Sequence, residues 1–300
     1  MKALRLIRED GATAPTLVLQ DVPKPTLIPG HIIVKVHASA IHPSDIMNYK
    51  GGFPYTTYPR TPGRDFAGTV VEGPSNRIGE EVYGTSGSTI AFTTDGYQAE
   101  YCLVPEDAVA PKPKTLSKAH TKKEDVVLVT GANGAVGSAV VQLGKSMGCR
   151  VLSATRSDRD DVNTASDPEL NAIDKLTGGK GVDVVADTVG LPAITQAAVN
   201  KLAFGGRLSF IAAPKSGDTG MKIDMQSFYR QEKSLVGCNT LKYSVEEFAE
   251  EMRGLTARFE DGSLEGAKAG VWTEVQLEDG FQAYEKASQP RAGKFVIVMN

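Results

Sequence analysis

The run Val126-Val-Leu-Val-Thr-Gly131-Ala-Asn-Gly134-Ala-Val-Gly137-Ser-Ala-Val-Val-Gln-Leu-Gly144 passes from β-favouring residues through a Gly-rich turn into a helical pattern. Ala135, Val136, Ala139, Val140 and Leu143 recur at helical spacing, so the reading is strand, tight turn, helix. Gly131 serves the reversal, where a Cβ would clash. Gly134 lets a phosphate approach the backbone, and Gly137 lets the helix lie close on the strand. The start of that helix points unpaired N–H groups and a positive dipole end outward, which suits a pyrophosphate. The spacing is G-x-x-G-x-x-G rather than G-x-G-x-x-G. Followed by a second strand, Arg150-Val-Leu-Ser-Ala-Thr155, it reads as a dinucleotide-binding βαβ unit with Gly131, Asn133, Gly134, Ala135, Val136 and Gly137 at the phosphates. The competing reading is a βαβ unit whose glycines serve packing alone.

Around this unit the chain is of ordinary globular make. Its 300 residues allow one large domain or two ordinary ones, and 41% hydrophobic with 23% charged residues is typical of a soluble protein. A net charge of -3 argues against nucleic acid and against an anionic membrane as partner. The start, Met1-Lys-Ala-Leu-Arg-Leu-Ile-Arg-Glu-Asp10, carries charges where a secretory leader is apolar, and no long apolar run is present. Cys102, Cys149 and Cys238 are too scattered for a disulfide framework or a zinc knuckle. A cytoplasmic location is the expectation.

Residues 1–117 read as short strands separated by Gly and Pro, with His31-Ile-Ile-Val-Lys-Val-His-Ala38 the clearest, which predicts a partly open barrel. From about residue 118 strands alternate with helical patterns, the signature of a doubly wound parallel sheet. Residues 245–259 form an amphipathic pattern, with Val245, Phe248, Met252, Leu255 and Phe259 on one stripe. A final strand, helix and strand over 271–298 returns to the first domain. The expected division is therefore 1–117 with 243–300, and 118–242.

On these residues the chain resembles the medium-chain dehydrogenase/reductase superfamily, in its zinc-free quinone oxidoreductase and enoyl reductase branch. The resemblance rests on His42-Pro-Ser-Asp45, Pro62-Gly-Arg-Asp-Phe-Ala-Gly68, Val82-Tyr-Gly84, Gly96-Tyr-Gln-Ala-Glu100, the 131–137 loop, Leu176-Thr-Gly-Gly-Lys-Gly-Val-Asp183, Asp187-Thr-Val-Gly190, Gly206-Arg207 and Ala292-Gly-Lys-Phe295. It implies a GroES-like partly open β-barrel domain plus a Rossmann domain, and a homodimer through the edge strand at 234–240. Zinc-dependent relatives carry Gly-His-Glu where this chain has Gly63-Arg64-Asp65, and a Cys near the position of Ala40. A catalytic zinc needs three protein ligands. Arg64 cannot be one, and His31, His37 and His120 show no ligand spacing, so no metal is expected. Reduction of an activated acceptor is then simpler than alcohol oxidation.

The second strand ends Ala154-Thr155-Arg156-Ser157, with no carboxylate before Asp158. A guanidinium and a hydroxyl suit a 2′-phosphate, which points to NADPH read by Thr155, Arg156 and Ser157; a solvated loop charge is the plain alternative for Arg156. The resemblance places the nicotinamide near residues 187–190 and 210–214, with Val189, Gly190 and Ile211 as the candidate contacts and Lys294 on the cofactor side or simply a surface lysine. The expected reaction is hydride transfer from NADPH to a quinone or α,β-unsaturated carbonyl, with His42, Tyr49 and Tyr55 as candidate hydrogen-bond donors to the developing enolate. For His42 a capping or packing role competes. Some enoyl thioester reductases of the branch place a Tyr where Phe53 stands here. Two other functions stay open: an enoyl thioester reductase of a polyketide or fatty-acid pathway, and an NADPH-binding protein without turnover.

One feature departs from the pattern. Six residues separate Thr155 from Val162, where a parallel crossover ordinarily takes a dozen or more. The segment from 115 to 125 is short in the same way. Either the chain lacks both covering elements, or residues that belong near 118–121 and 157–160 are absent from the sequence. The second reading is favoured, since a sheet without its covering helix exposes apolar strand face.

Overall fold

The computed structural model describes residues 1–111, 124–214, 216–266, 270–289 and 292–299. The chain divides into two compact units, Met1–Ser117 with Thr240–Asn300, and Lys118–Asn239.

In the first unit the strands are β1 (Lys2–Ile7), β2 (Thr16–Asp21), β3 (His31–Ala40), β4 (Asp65–Glu72), β5 (Glu81–Thr85), β6 (Tyr101–Pro105) and β7 (Ala110–Pro111), with α1 (Pro43–Tyr49) between β3 and β4. β3 is the long central strand because its β-branched run fills the core on one face: Ile32, Val34 and Val36 are all fully buried. It pairs antiparallel with both β4 and β6.

The second unit holds β8 (Val126–Thr130), α2 (Ala135–Ser146), β9 (Arg150–Thr155), β10 (Val162–Asn163), α3 (Ala172–Thr177), β11 (Val182–Asp187), α4 (Pro192–Asn200), β12 (Leu202–Phe210), α5 (Met225–Arg230) and β13 (Ser234–Gly237). All its strand pairs are parallel, in the order β10-β9-β8-β11-β12-β13. The order reverses between β8 and β11, so the switch point of this doubly wound sheet lies beside the Gly-rich loop.

The C-terminal part rejoins the first unit as α6 (Val245–Glu260), β14 (Trp272–Gln276), α7 (Gly280–Ala287) and β15 (Lys294–Val298). β15 pairs antiparallel with β3, Val296 opposite Ala40, which extends the open β14-β15-β3-β4-β5-β7 sheet. The apolar stripe of α6 is only half-buried. The residues at the centre of its packed face are Ala249, Thr256 and Ala257, small enough to let the helix lie against β5 and β7. Tyr83 ties the helix down through its hydroxyl, which donates to the Met252 carbonyl at 2.9 Å.

The short crossover from β9 to β10 is made without a helix. Val162 pairs with Ala154 and Asn163 with Thr155 after a six-residue turn. Three carboxylates close that turn. Asp158 accepts from Asn163 Nδ2 at 2.6 Å, Asp160 from Thr155 Oγ1 at 2.6 Å, and Asp161 from the Ser153 amide at 2.7 Å. The other shortened place, 118–121, lies outside the described residues, as does His120.

Candidate functional site

Two constellations carry chemistry, one in each unit. In the second unit the Gly-rich loop joins β8 to α2. Gly131 takes φ +68°, and a Cβ on Gly137 would stand 2.2 Å from the Gly131 carbonyl oxygen, so neither position accepts a side chain without moving backbone. Gly134 is less crowded, but an added Cβ would still press on that same oxygen, at 3.1 Å. Gly134 is also the N-cap of α2 and offers no side chain to the helix. The amides of Ala135, Val136 and Gly137 take no backbone partner among the described residues. An uncapped helix start facing open space is the arrangement a pyrophosphate fills, so the loop fits a dinucleotide.

A cavity of about 740 Å³ lies here, and Gly131, Asn133, Gly134, Thr155, Arg156, Ser157 and Val189 line it. Arg156 is exposed and makes no hydrogen bond or ion pair among the described residues. Gly190 lines a neighbouring cavity of about 100 Å³ with Phe210 and Ala212. Ile211 follows β12, and its amide donates to the Asp187 carbonyl at 3.2 Å.

Sequence reasoning reached Thr188 only within the span 187–190, and named neither Thr130 nor Asp160 as a site residue. Thr130 and Thr188 line the large cavity beside the glycines. Asp160 does not line it but accepts from two residues that do, Thr155 at 2.6 Å and Asn133 at 3.0 Å, and so straps the Gly-rich loop to the end of β9. No carboxylate stands at the strand end itself, yet the turn brings one back to it. Only the length of the turn hinted at this.

In the first unit β3 delivers the chain to His42, the N-cap of α1, and β4 begins at Asp65. His42 Nε2 meets Asp65 Oδ2 at 2.6 Å, and Asp65 Oδ1 accepts the Ala40 amide at 2.8 Å. Asp45 sits in the first turn of α1, 1% exposed, and accepts the amides of His42 at 2.8 Å and Gly63 at 3.2 Å. Burial pushes the imidazole down, but the hydrogen bond and charge of Asp65, with the charge of Asp45, outweigh it and hold His42 up at about 9. Burial pushes Asp45 up to about 6, against the opposing His42 charge and amide.

Arg64 is also buried. Its Nη1 donates to the Ile90 carbonyl at 3.3 Å and its Nη2 to the Gly87 carbonyl at 3.1 Å, while the guanidinium lies 4.5 Å from the centre of the Phe92 ring. Tyr55 belongs to the same aromatic group, its ring 5.1 Å from Phe92, and the residue is 45% exposed. Tyr49 packs edge-on against Tyr284 at 5.6 Å, and burial raises its hydroxyl. Lys294 opens β15 with its ammonium 5.8 Å from the Trp272 ring. His31 binds the Pro29 carbonyl and His37 lies 3.4 Å from Thr69 Oγ1. No group of three or more His, Cys, Asp or Glu suited to a metal occurs among the described residues.

Comparison with known proteins decides the family. Residues 28–114 match the alcohol dehydrogenase GroES-like domain and residues 135–257 match the zinc-binding dehydrogenase family. A zinc-type alcohol dehydrogenase-like protein of Schizosaccharomyces pombe is 41% identical over 319 aligned positions, covering 100% of this chain and 98% of that protein. The chain is a medium-chain dehydrogenase/reductase. As a member of that superfamily it is an oxidoreductase of the nicotinamide-dependent kind. The quinone oxidoreductase of Rattus norvegicus is 26% identical over 333 positions, covering 100% of this dehydrogenase/reductase and 98% of the rat protein. YhdH of Escherichia coli K-12, solved with bound NADPH, shares the fold at a TM-score of 0.75 and 21% identity, over 99% of this chain and 100% of that one. The alignment to the yeast protein has 319 positions against 300 residues, so this dehydrogenase/reductase is shorter by about 19 positions within the matched span. No helix of the described residues is long and apolar enough to cross a membrane.

Proposed function

We propose that this chain is a zinc-independent reductase that uses NADPH to reduce a quinone or an α,β-unsaturated carbonyl. The observation that carries the reading is the glycine cradle with a guanidinium at its lip: three amides at the start of α2 and Arg156 on one cavity, none of them with a partner among the described residues. The amides of Ala135, Val136 and Gly137 hold the pyrophosphate, and Arg156 with Ser157 holds the 2′-phosphate. The dinucleotide, when bound, supplies the hydride. His42 does the acid's work: Asp65 takes Nε2, and the other ring nitrogen holds a proton for the oxygen of the reduced acceptor. Tyr55 is the second donor on the same unit; Tyr49, packed on Tyr284, is the third. Val189, Gly190 and Ile211 belong to the nicotinamide end, and Lys294 to the cofactor side. Arg64, held by two carbonyls and a ring, sits where zinc-dependent relatives have a ligand, which supports chemistry without a metal. Cytoplasmic residence and a homodimer through β13 belong to the same reading.

The test follows the absorbance of NADPH and NADH with a panel of free quinones, enones and enoyl thioesters, before and after dialysis against a chelator. NADPH oxidation by quinones or enones, unchanged by the chelator, is expected. Turnover with thioesters alone selects the enoyl thioester reductase, and binding without any oxidation selects a non-catalytic binder.

A further inference from the structure

Asp187 ends β11 and is 1% exposed. Its Oδ1 accepts the Thr130 hydroxyl at 2.6 Å and the amides of Val189 at 2.9 Å and Gly190 at 3.0 Å, and its Oδ2 accepts the Thr195 hydroxyl at 2.5 Å. Oδ1 alone meets three donors, which suits an ionised carboxylate; the Thr195 hydroxyl beside Oδ2 also reaches the Leu191 carbonyl at 3.1 Å. No Lys, Arg or His pairs with it among the described residues. Thr130 and Val189 line the large cavity, and Gly190 and Thr195 line the small one, so the group stands in the wall the two cavities share.

A buried charge without a counter-ion is costly even when its hydrogen bonds are made. Neutral side chains could tie the same turn. The charge therefore points to something positive that is not among the described residues. Sheet order tells which end of a dinucleotide comes here. Arg156 lies beyond β9, on one side of β8, and Asp187 lies at the end of β11, on the other. A pyrophosphate at α2 spans that switch point, so with the adenosine at Arg156 the opposite half falls on the β11 side.

We propose that Asp187 sets the charge around the nicotinamide end of the cofactor, favouring the oxidised, positively charged ring over the reduced, neutral one and so biasing the bound pair toward giving up hydride. This rests on the reading above that the cavity takes a nicotinamide dinucleotide. It gives the reductive direction a structural cause that lies within the second unit.

Calorimetric titration of the full chain with NADP⁺ and NADPH tests it through the ratio of the two dissociation constants. Asp187→Asn is expected to raise the ratio of the NADP⁺ to the NADPH value roughly tenfold, the size of one charge at about 10 Å in an effective dielectric of about 20. Thr195→Val keeps the charge and strips its shortest hydrogen bond, so the ratio is expected to fall by about twofold or more. A merely structural role moves both affinities together and both variants the same way. An unchanged ratio in D187N, or the two variants moving it in the same direction, overturns the proposal while leaving the dinucleotide site standing. Should D187N not fold, a ratio that stays or rises in T195V overturns it alone. Failure of the unmutated chain to bind either form overturns both this proposal and the reading beneath it.

Discussion

The two constellations are built in opposite ways. The cradle in the second unit is made of chain neighbours, residues 131–137, and acts through main-chain N–H groups that are available because side chains are missing. The cluster in the first unit joins the start of α1 to the start of β4, with Asp45 and Asp65 20 positions apart, and acts through buried side-chain charges. A site of backbone and empty space tolerates no added atom but is indifferent to pH. A site of buried charges keeps its shape when a carboxylate becomes an amide, yet its protons move. Each should therefore break under a different insult.

The sharpest break expected is at Gly137. Gly137→Val puts a branched side chain where a single Cβ already stands 2.2 Å from the Gly131 oxygen. Binding of NADPH, read by fluorescence titration, should weaken by more than about a hundredfold, since the loop must open to fit it. In the first unit the corresponding test changes charge alone. His42→Gln should lower kcat about a hundredfold, with NADPH binding unaltered. The pH profile of the unmutated enzyme should have a basic limb near 9, because activity needs the imidazolium and is lost as pH rises through the held-up pKa. Asp65→Asn removes the hydrogen bond and the charge that hold His42 up, while burial, which pushes it down, remains. The limb should then move to lower pH by more than about one unit. A limb that stays near 9 in D65N would show that Asp65 is not the partner that keeps this proton.

The same contrast explains what could be read from the sequence. Gly131, Gly134 and Gly137 were legible because a phosphate loop needs its glycines at short spacing, between a strand and a helix that each announce themselves by periodicity. His42 could be named, but its partner could not: Asp65 lies on another strand, and only the register of β3 with β4 brings the two together. The six residues between β9 and β10 are short for a crossover, and the hydrogen bonds that close the turn are not legible in them. The carboxylates of Asp158, Asp160 and Asp161 close it, and nothing in their spacing marks them as acceptors for Asn163, Thr155 and Ser153. Asp187 is visible as part of a four-residue motif, but its lack of a counter-charge among the described residues is a property of burial and packing, which no local pattern contains.

The smallest expected effect bears on the one place where the cradle too depends on charge. Arg156 stands at the lip of the cavity without a partner among the described residues, and Asp160 is held by Thr155 and Asn133, which line the same cavity. A 2′-phosphate is drawn by the first and repelled by the second, so the preference for NADPH over NADH is a difference between two opposing terms. The guanidinium is exposed, which dilutes its attraction through solvent and salt. Arg156→Ala should weaken NADPH about tenfold and leave NADH within about twofold, and the NADPH loss should shrink as salt is raised. Asp160→Asn should act in the other direction, tightening NADPH by about twofold, because the amide still accepts from Thr155 while the repulsion is gone. If R156A weakened both dinucleotides alike, Arg156 would be acting on the pyrophosphate they share, and the reading of the second strand's end as a 2′-phosphate site would fail with the glycine cradle left intact.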